Sequence, residues 1–310
     1  MKPLLFVTDT WSSLDHPRDT SLRLIEEFWK AGQSVYWCEP SDILYLNDHC
    51  FVQAAQVVFV KQTRSIADFQ MSSKKKIPVT KFNTIFYRVD PPVDEYYLSH
   101  YGLLYLGGGK LQPPPKAAWI GYEKLNFDSA LLVPRSCATS SPKLLKKYFA
   151  GTSSKKTVSK PLNGAQSKGV ILYESGMPQH SNSSRPSVHL YQEFLPSGEN
   201  GETRLWFAAG KLVSWAKKKP PAGEWKFNLD NGQGSKVIAT KLTLKQKQAA
   251  TQISRRLRRD QILLAAVDLI GSKIIDFNVT SPGLLVEIEG LGFKNLSRKI
   301  VQILIKNASK

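Results

Sequence analysis

Two short apolar runs near the C-terminal end each carry a polar side chain where burial would favour hydrocarbon. They are Ala266-Val267-Asp268-Leu269-Ile270 and Ile274-Ile275-Asp276-Phe277-Asn278, on either side of Gly271-Ser272-Lys273. Strand side chains alternate, so Asp276 and Asn278 share a face. A three-residue loop over Gly271–Lys273 is expected, which sets Asp268 opposite Asp276; a two-residue loop would turn Asp268 to the other face. Three oxygen ligands, Asp268, Asp276 and Asn278, then converge from neighbouring strands. Such a hard-oxygen set suits Mg²⁺, which takes one or two carboxylates together with substrate phosphates and water. The alternative is an edge hairpin whose polar residues face solvent, because acidic residues on strands are not a specific signal.

Other stretches offer anion chemistry. Thr157 to Leu172 reads as a strand, a loop containing Gly164 and Gly169, and a second strand. Lys160, at the end of the first strand, can meet a phosphate as a point charge while the loop backbone folds over it. No Gly-Lys-Ser/Thr opens a helix there, which excludes a Walker loop. His189 to Pro196 is a strand running into a linker, and Gly201 to Val213 is a hairpin turning at Gly210-Lys211. Thr84 to Val89 is an apolar strand that ends in Arg88, Asp90, Pro91 and Pro92. Open α/β sheets bind ligands at the carboxyl ends of their strands. Arg88 is therefore a candidate to hold a substrate carboxylate through two parallel hydrogen bonds, with a structural ion pair to Asp90 or Asp94 as the alternative.

The elements that must position these residues follow from periodicity. Pro3–Asp9 and Ser34–Trp37 read as strands around a helix from about Thr20 to Ala31, the βαβ opening of an open α/β layer. Ile43–Leu46 and Val57–Val60 read as short strands and Ser72–Lys76 as a charged loop. Ser141-Pro142 starts a short helix, Thr243-Leu244-Lys245-Gln246 is a capping box opening a helix to about Arg259, and the chain closes on an amphipathic helix from about Asn295 to Asn307. Gly107–Gly109 and Pro113–Pro115 bracket a hinge, so an N-terminal α/β domain is expected over 1–115 and a second domain over 116–310.

At 310 residues and 42% hydrophobic content the chain can bury a large core, and no apolar run is long enough to span a bilayer. A cytoplasmic protein is expected. Cys38, Cys50 and Cys137 are scattered without ligand spacing, which argues against both a disulfide framework and a zinc site. The formal charge of +18 favours anionic partners. Arg255, Arg256, Arg258 and Arg259 complement the end of their own helix, and nucleic acid is not the expected partner because no aromatic interleaving accompanies them.

The order of these motifs resembles bacterial glutathione synthetase, a family of the ATP-grasp superfamily of carboxylate–amine ligases. The likeness rests on Asp268 followed by Asp276-x-Asn278-Val279-Thr280-Ser281-Pro282, on Arg88-x-Asp90-Pro91-Pro92, and on Lys160-Pro161-x-x-Gly164-x-Gln166-x-x-Gly169-Val170. The last of these is also similar to the lid of ribosomal-protein glutamate ligases. The resemblance implies an α/β (α+β) chain: an open α/β N-terminal (pre-ATP-grasp) domain, then a two-lobed ATP-grasp domain with a lid at about 135–195 and a metal-binding part at about 196–310. It implies ATP and Mg²⁺ as cofactors. Lys124, Lys160, Gly164, Gln166, Ser167, Gln192, Glu193, Phe194, Leu195 and Glu202 would bind ATP; Asp268, Asp276 and Asn278 the metal; Arg88, Asp90 and Ser281 the substrate. Arg204, Lys226 and Asn228 would act on the transferred phosphoryl group. Four positions depart from the family pattern: Ser167 stands where those enzymes carry Gly, Lys226 where they carry Arg, Asp276 where they carry Glu, and Val286, before Glu287-Ile288-Glu289, where they usually carry Arg.

The implied reaction joins a small-molecule carboxylate to an amine through an acyl phosphate, γ-glutamylcysteine and glycine in the glutathione synthetases. The same resemblance implies a dimer or tetramer. Two other readings stay open at this point: an amino-acid ligase acting on a peptide or protein tail, and a degenerate ATP-grasp protein that binds nucleotide without turnover.

Overall fold

A computed structural model describes residues 3–62, 67–119, 122–125, 131–149, 156–165, 167–174, 187–196, 200–225, 227 and 235–308. Among the predicted site residues, Gln166, Lys226 and Asn228 lie outside this set. Among the described residues the chain is a mixed α/β protein built on three sheets.

The first sheet has at its centre β1 (Leu4–Thr8), with β2 (Val35–Cys38) and β7 (Thr84–Arg88) parallel on its two sides. These strands are nearly continuous apolar runs because both faces are covered. The connection from β1 to β2 is the predicted helix, α1 (Thr20–Lys30), whose N-cap Asp19 accepts from the Leu22 N–H at 2.8 Å. The two short strands expected at 43–46 and 57–60 differ in length. The first is β3 (Ile43–Leu46), but the second belongs to a 14-residue strand, β4 (His49–Gln62). The expected loop at Ser72–Lys76 also partly orders: β6 (Lys75–Pro78) pairs with β4, as does β5 (Ala67–Met71). Lys76 fits a strand because its stem carries the ammonium over the Phe51 ring at 4.2 Å. On the other side β8 (Leu111–Gln112) extends β7, after α2 (Glu95–Leu106).

Past α3 (Pro115–Ala118), the second sheet runs in the order β11 (Ile171–Tyr173), β10 (Thr157–Pro161), β12 (His189–Glu193), β9 (Ser136–Thr139), all antiparallel, with the predicted short helix α4 (Pro142–Phe149) between β9 and β10. The third runs β15 (Lys236–Ile238), β14 (Lys211–Lys219), β13 (Glu202–Ala208), β16 (Leu264–Ile270), β17 (Lys273–Asn278). One apolar core joins the first and third sheets. In it Phe6 and Phe86 meet Trp206 and Ala266 through α1, α6 (Leu285–Gly290) and α7 (Leu296–Ala308). α5 (Leu244–Arg259), opened by the predicted capping box, covers the opposite face of the third sheet through Ile253 and Leu257.

The β16–β17 turn is shorter than expected, yet the two aspartates still face each other. Only Gly271 and Ser272 form the turn, with Gly271 at φ +61° and Ile270 paired to Lys273. That alone would put Asp268 on the wrong face. A bulge offsets it: Leu269 pairs with Ile274 and Asp268 with Asp276, so Ile275 is the extra residue.

Candidate active site

The three sheets enclose a cleft of about 400 Å³, within the range of small-molecule sites. Lys124, Lys160, Gly164, Ser167, Gln192, Glu193, Phe194, Leu195, Glu202, Arg204, Asp268, Asp276, Asn278, Arg88, Asp90 and Ser281 all line it. The sequence expectation thus brings together residues from both ends of the chain.

The floor is a row of charged side chains across four strands. Register sets Glu202 of β13 beside Lys218 of β14, Arg204 of β13 beside Asp268 of β16, and Asp268 beside Asp276 of β17. Arg204 closes a two-point pair on Asp268, Nε to Oδ1 at 2.8 Å and Nη2 to Oδ2 at 2.7 Å. Lys218 Nζ also donates to Asp268 Oδ2 at 2.9 Å and pairs with Glu202. Burial alone would raise the Asp268 carboxyl, but the two cations outweigh it and hold it well below the usual carboxylate range. Asp268 is 2% exposed, and removing either cation would leave a charge uncompensated.

At the other end of the row Lys124 Nζ donates to Asp276 Oδ1 at 2.8 Å. Burial works against this ammonium, and the neighbouring Asp276 and Glu123 raise it nonetheless. Glu123 fixes the segment: its Oε1 accepts from the Val279 N–H at 2.6 Å, the Thr280 N–H at 2.9 Å and the Thr280 hydroxyl at 3.0 Å. The bulge at Ile275 has a second consequence here, since Lys160 Nζ donates to the Ile275 carbonyl at 2.9 Å. With no ion pair among the described residues, Lys160 is pushed below its ordinary value by burial.

The metal expectation can be tested on this donor set. Both Asp268 oxygens already accept from cations, and the Asn278 amide nitrogen donates to Asp268 Oδ2 at 3.3 Å and to the Ala266 carbonyl at 3.0 Å. Asp276 Oδ2 and the Asn278 amide oxygen remain as hard oxygen donors. They fit Mg²⁺, which needs only one or two carboxylates when phosphates and water complete the shell. Asp268 is better placed to organise Arg204 and Lys218. Among the described residues no three acidic, histidine or cysteine side chains group into a metal cage.

The roof is the second sheet and its loop. A Cβ on Gly164 would lie 2.7 Å from Pro161 Cγ, so the turn after β10 needs glycine. Ser167 adopts φ +58°, the left-handed region, and its hydroxyl donates to the Phe227 carbonyl at 3.3 Å. Gln192 lines the cleft and donates its amide to the Ser136 hydroxyl at 2.9 Å. Glu193 is paired with Lys273, and that hydrogen bond lowers its carboxyl. Val158, Ile270 and Ile275 supply apolar walls nearby.

The far end of the cleft belongs to the first sheet. Arg88 is 3% exposed; its Nε donates to the Ser21 hydroxyl at 2.7 Å and its Nη2 to the Pro282 carbonyl at 3.1 Å. It forms no ion pair among the described residues, and burial lowers it. Asp94 instead caps α2 through the Tyr97 N–H at 3.0 Å. Asp90 lines the cleft, whose walls desolvate its carboxyl and raise it to about 6, with Asp9 adding to the rise and the nearby Ser281 hydroxyl and Arg88 opposing it.

Two residues of this site escaped sequence reasoning. Lys218 lay inside the run Lys217-Lys218-Lys219, where only strand alternation opposite Glu202 could single out the middle lysine as buried. Glu123 acts through backbone partners more than 150 residues away, and no local pattern signals that.

The profile of the prokaryotic glutathione synthetase ATP-grasp domain matches residues 123–292, and that of the N-terminal domain of the same enzymes matches residues 1–107. The chain belongs to the prokaryotic glutathione synthetase family. It is an ATP-grasp ligase. A glutathione synthetase of Prochlorococcus marinus subsp. pastoris is 28% identical over 313 residues, covering 97% of this chain and 98% of the relative. One from Neisseria meningitidis serogroup B is 27% identical over 300 residues, covering 91% of each. Among solved structures, D-cycloserine synthetase DcsG superposes with a TM-score of 0.67 at 14% identity, covering 98% of this chain and 99% of that one. Macrocyclase MdnB from Microcystis aeruginosa gives 0.60 at 12% identity, covering 98% and 99%. These two share the fold. No helix among the described residues is long and apolar enough to cross a membrane.

Proposed function

We propose that this ligase makes glutathione: it activates the glycyl-accepting carboxylate of γ-glutamylcysteine with ATP and joins it to glycine. The observation that carries the reading is the charge row Lys218, Arg204, Asp268, Asp276, Lys124 on one cleft floor, in a chain that aligns with glutathione synthetases over nearly its whole length.

In this reading residues 116–310 hold the nucleotide and residues 1–115 present the acid. Adenine stacks among Val158, Ile270 and Ile275, with the Gln192 carbonyl and the backbone at Leu195 on its edge. Lys160 and Lys124 meet phosphates, the loop through Gly164, Gln166 and Ser167 folds over them, and Glu202 faces the ribose. Bound Mg²⁺ would be held by Asp276 and Asn278 and would neutralise phosphate charge. Asp268 keeps Arg204 and Lys218 aimed at the phosphoryl group in transfer, where fixed cations stabilise developing charge without reorganisation. Lys226 and Asn228 are assigned to the same task from sequence. Arg88, Asp90 and Ser281 orient the acid. The acid's carboxylate oxygen attacks the γ-phosphorus, the bond to the ADP oxygen breaks, and the amine then displaces phosphate from the acyl carbon, losing a proton as the amide forms. We place the protein in the cytoplasm as a dimer or tetramer.

Calorimetry with ATP and Mg²⁺, followed in the same preparation by phosphate release on adding γ-glutamylcysteine and glycine, tests the reading. Binding with turnover supports it. Binding without turnover moves the acid and amine elsewhere, and no binding removes the nucleotide site itself. The +18 charge favours one second reading, an amino-acid ligase acting on an acidic peptide tail; such a peptide replaces γ-glutamylcysteine in the same assay.

A further inference from the structure

One carboxylate on the cleft wall takes no part in the charge row. Glu287, in the first turn of α6, lines the cleft beside Asp15, Arg18 and Thr20 from the loop and first residue of α1. It forms no ion pair among the described residues, and its Oε2 is shielded from solvent without a hydrogen-bond partner. Arg18 lies near enough to act on it but is closed on Asp15 at 2.6 Å. An acid in a first turn offsets the positive end of its helix, and the bond from its own backbone N–H fits that role. An unpartnered oxygen on a half-buried carboxylate does not, because it costs free energy that the fold recovers nowhere. Glu289, two residues on, shows what a structural glutamate does here: it accepts from the Ser297 N–H at 2.8 Å, the Ser297 hydroxyl at 2.6 Å and Arg23 at 3.0 Å.

The segment before α6 fixes where Glu287 stands relative to the chemistry. Ser281 donates to the Arg88 carbonyl at 3.4 Å. The Gly283 carbonyl accepts from Arg204 Nη1 at 3.4 Å and Trp206 Nε1 at 3.1 Å, and the Leu285 N–H donates to the Thr20 hydroxyl at 3.4 Å. The chain thus runs from Arg88 past Arg204 and turns into α6 at Leu284, φ +69°. The charged groups that act on Glu287 are Arg18, Asp15 and Arg204, whereas those that act on Asp90 are Asp9, Arg88 and Asp19. The two carboxylates therefore serve different places, Asp90 beside Arg88 and Glu287 beside Arg204. Burial raises the Glu287 carboxyl against both guanidiniums and its own N–H, which improves it as a proton acceptor.

Joining γ-glutamylcysteine to an amine brings two ammonium groups into this cleft. The acid's own lies several bonds from its reacting carboxylate. The amine's must reach the acyl carbon while the phosphoryl group is still held at Arg204. We infer that Glu287 receives the ammonium of the amine substrate and takes its first proton, an assignment that rests on the acyl-phosphate reading of the cleft. An N–H bond of the ammonium breaks toward the Glu287 carboxylate, and the freed lone pair forms the C–N bond. The acyl C–O bond breaks with its electron pair on the departing phosphate, which carries off the second proton; one hydrogen stays on the amide nitrogen.

Hydroxylamine is uncharged near neutral pH and traps acyl phosphates as hydroxamates, so it reacts without an ammonium to be received. The full chain and Glu287→Gln are compared with ATP, Mg²⁺ and γ-glutamylcysteine, using glycine or hydroxylamine as nucleophile. Glu287→Gln is expected to raise KM for glycine and lower its kcat/KM roughly tenfold or more, the loss of a hydrogen bond to a charged group. KM for the acid should stay unchanged, and hydroxamate formation should fall less than about threefold. Glu287→Asp keeps the charge and should recover part of the glycine activity; an unchanged ATP affinity reports an intact fold in both variants. Equal losses on the two nucleophiles, a shift in KM for the acid instead of the amine, or a Glu287→Gln chain as active on glycine as the unmodified one each overturns the assignment. An unmodified chain that releases no phosphate from ATP with γ-glutamylcysteine and either nucleophile overturns the choice of acid alone. An acidic peptide then takes its place, and the same ratio between the two nucleophiles decides.

Discussion

Arg204 and Asp268 meet from facing positions on adjacent antiparallel strands, with both carboxylate oxygens engaged at 2.8 and 2.7 Å. Neither is near the surface, and Lys218 shares the same carboxylate. Asp268→Asn keeps the shape but leaves the buried Arg204 without its countercharge and Lys218 with Glu202 alone. Stability is expected to drop by on the order of 3 kcal/mol, read from urea unfolding. Lys218→Met in the same background should restore part of the loss, because it removes one of the two cations that meet at that oxygen. A double variant no more stable than Asp268→Asn would mean the ion pairs do not share the carboxylate as described.

Ser167 holds a left-handed backbone at φ +58°. A residue with a Cβ is disfavoured there by about 1–2 kcal/mol, and glycine is not. Ser167→Gly should therefore ease the loop conformation and tighten ATP binding, at the loss only of the 3.3 Å bond to the Phe227 carbonyl. Ser167→Val, stiff at its first side-chain torsion, should weaken ATP binding. Calorimetric titration of the two variants orders them; a valine variant that binds as well as the glycine variant would show that the position tolerates any backbone demand.

Much of this site was legible because it is written in local pattern. Polar residues inside apolar strands marked Asp268, Asp276 and Asn278, and an arginine ending a buried strand marked Arg88. Where reading failed, the cause was geometry that accumulates over several residues. The sequence predicts a loop at Gly271 one residue longer than it is, and the two aspartates face each other only because a bulge at Ile275 restores the register. The Arg88 alternatives were separable only in three dimensions, once Asp94 was seen to cap α2. Strand β6 reads as a loop in sequence because its order comes from pairing with β4 and from Lys76 lying over Phe51, contacts that charge patterning does not reveal.

Asp90 predicts a pH dependence. Its carboxyl is raised from 3.8 to about 6, so it is neutral below that pH and ionised above it. If it receives the substrate's ammonium, kcat/KM for the acid should rise as pH increases through about 6 and level off beyond it. The native state also binds this proton more tightly than the unfolded chain does, so its contribution to stability is present at low pH and declines as pH rises through the same window. Asp90→Asn should remove the inflection near pH 6 from the kcat/KM profile while leaving kcat at saturating acid less affected. A profile in which the inflection persists would assign it to another group.

Lys124 and Asp276 predict effects of opposite sign on two ligands. The ammonium occupies Oδ1 of Asp276 at 2.8 Å and adds a positive charge beside Oδ2, one of the two oxygens left for a metal. Lys124→Met removes that charge, which frees the whole carboxylate and should tighten binding of Mg²⁺ alone. The same change takes a cation away from the phosphates, and ATP affinity is expected to fall roughly tenfold, about 1.4 kcal/mol. Asp276→Asn should weaken Mg²⁺ binding instead. Mn²⁺ in place of Mg²⁺ allows the metal to be followed by electron paramagnetic resonance without nucleotide. A lysine variant that binds Mn²⁺ more weakly than the unmodified chain would mean that Asp276 is held for Lys124 and not for a metal.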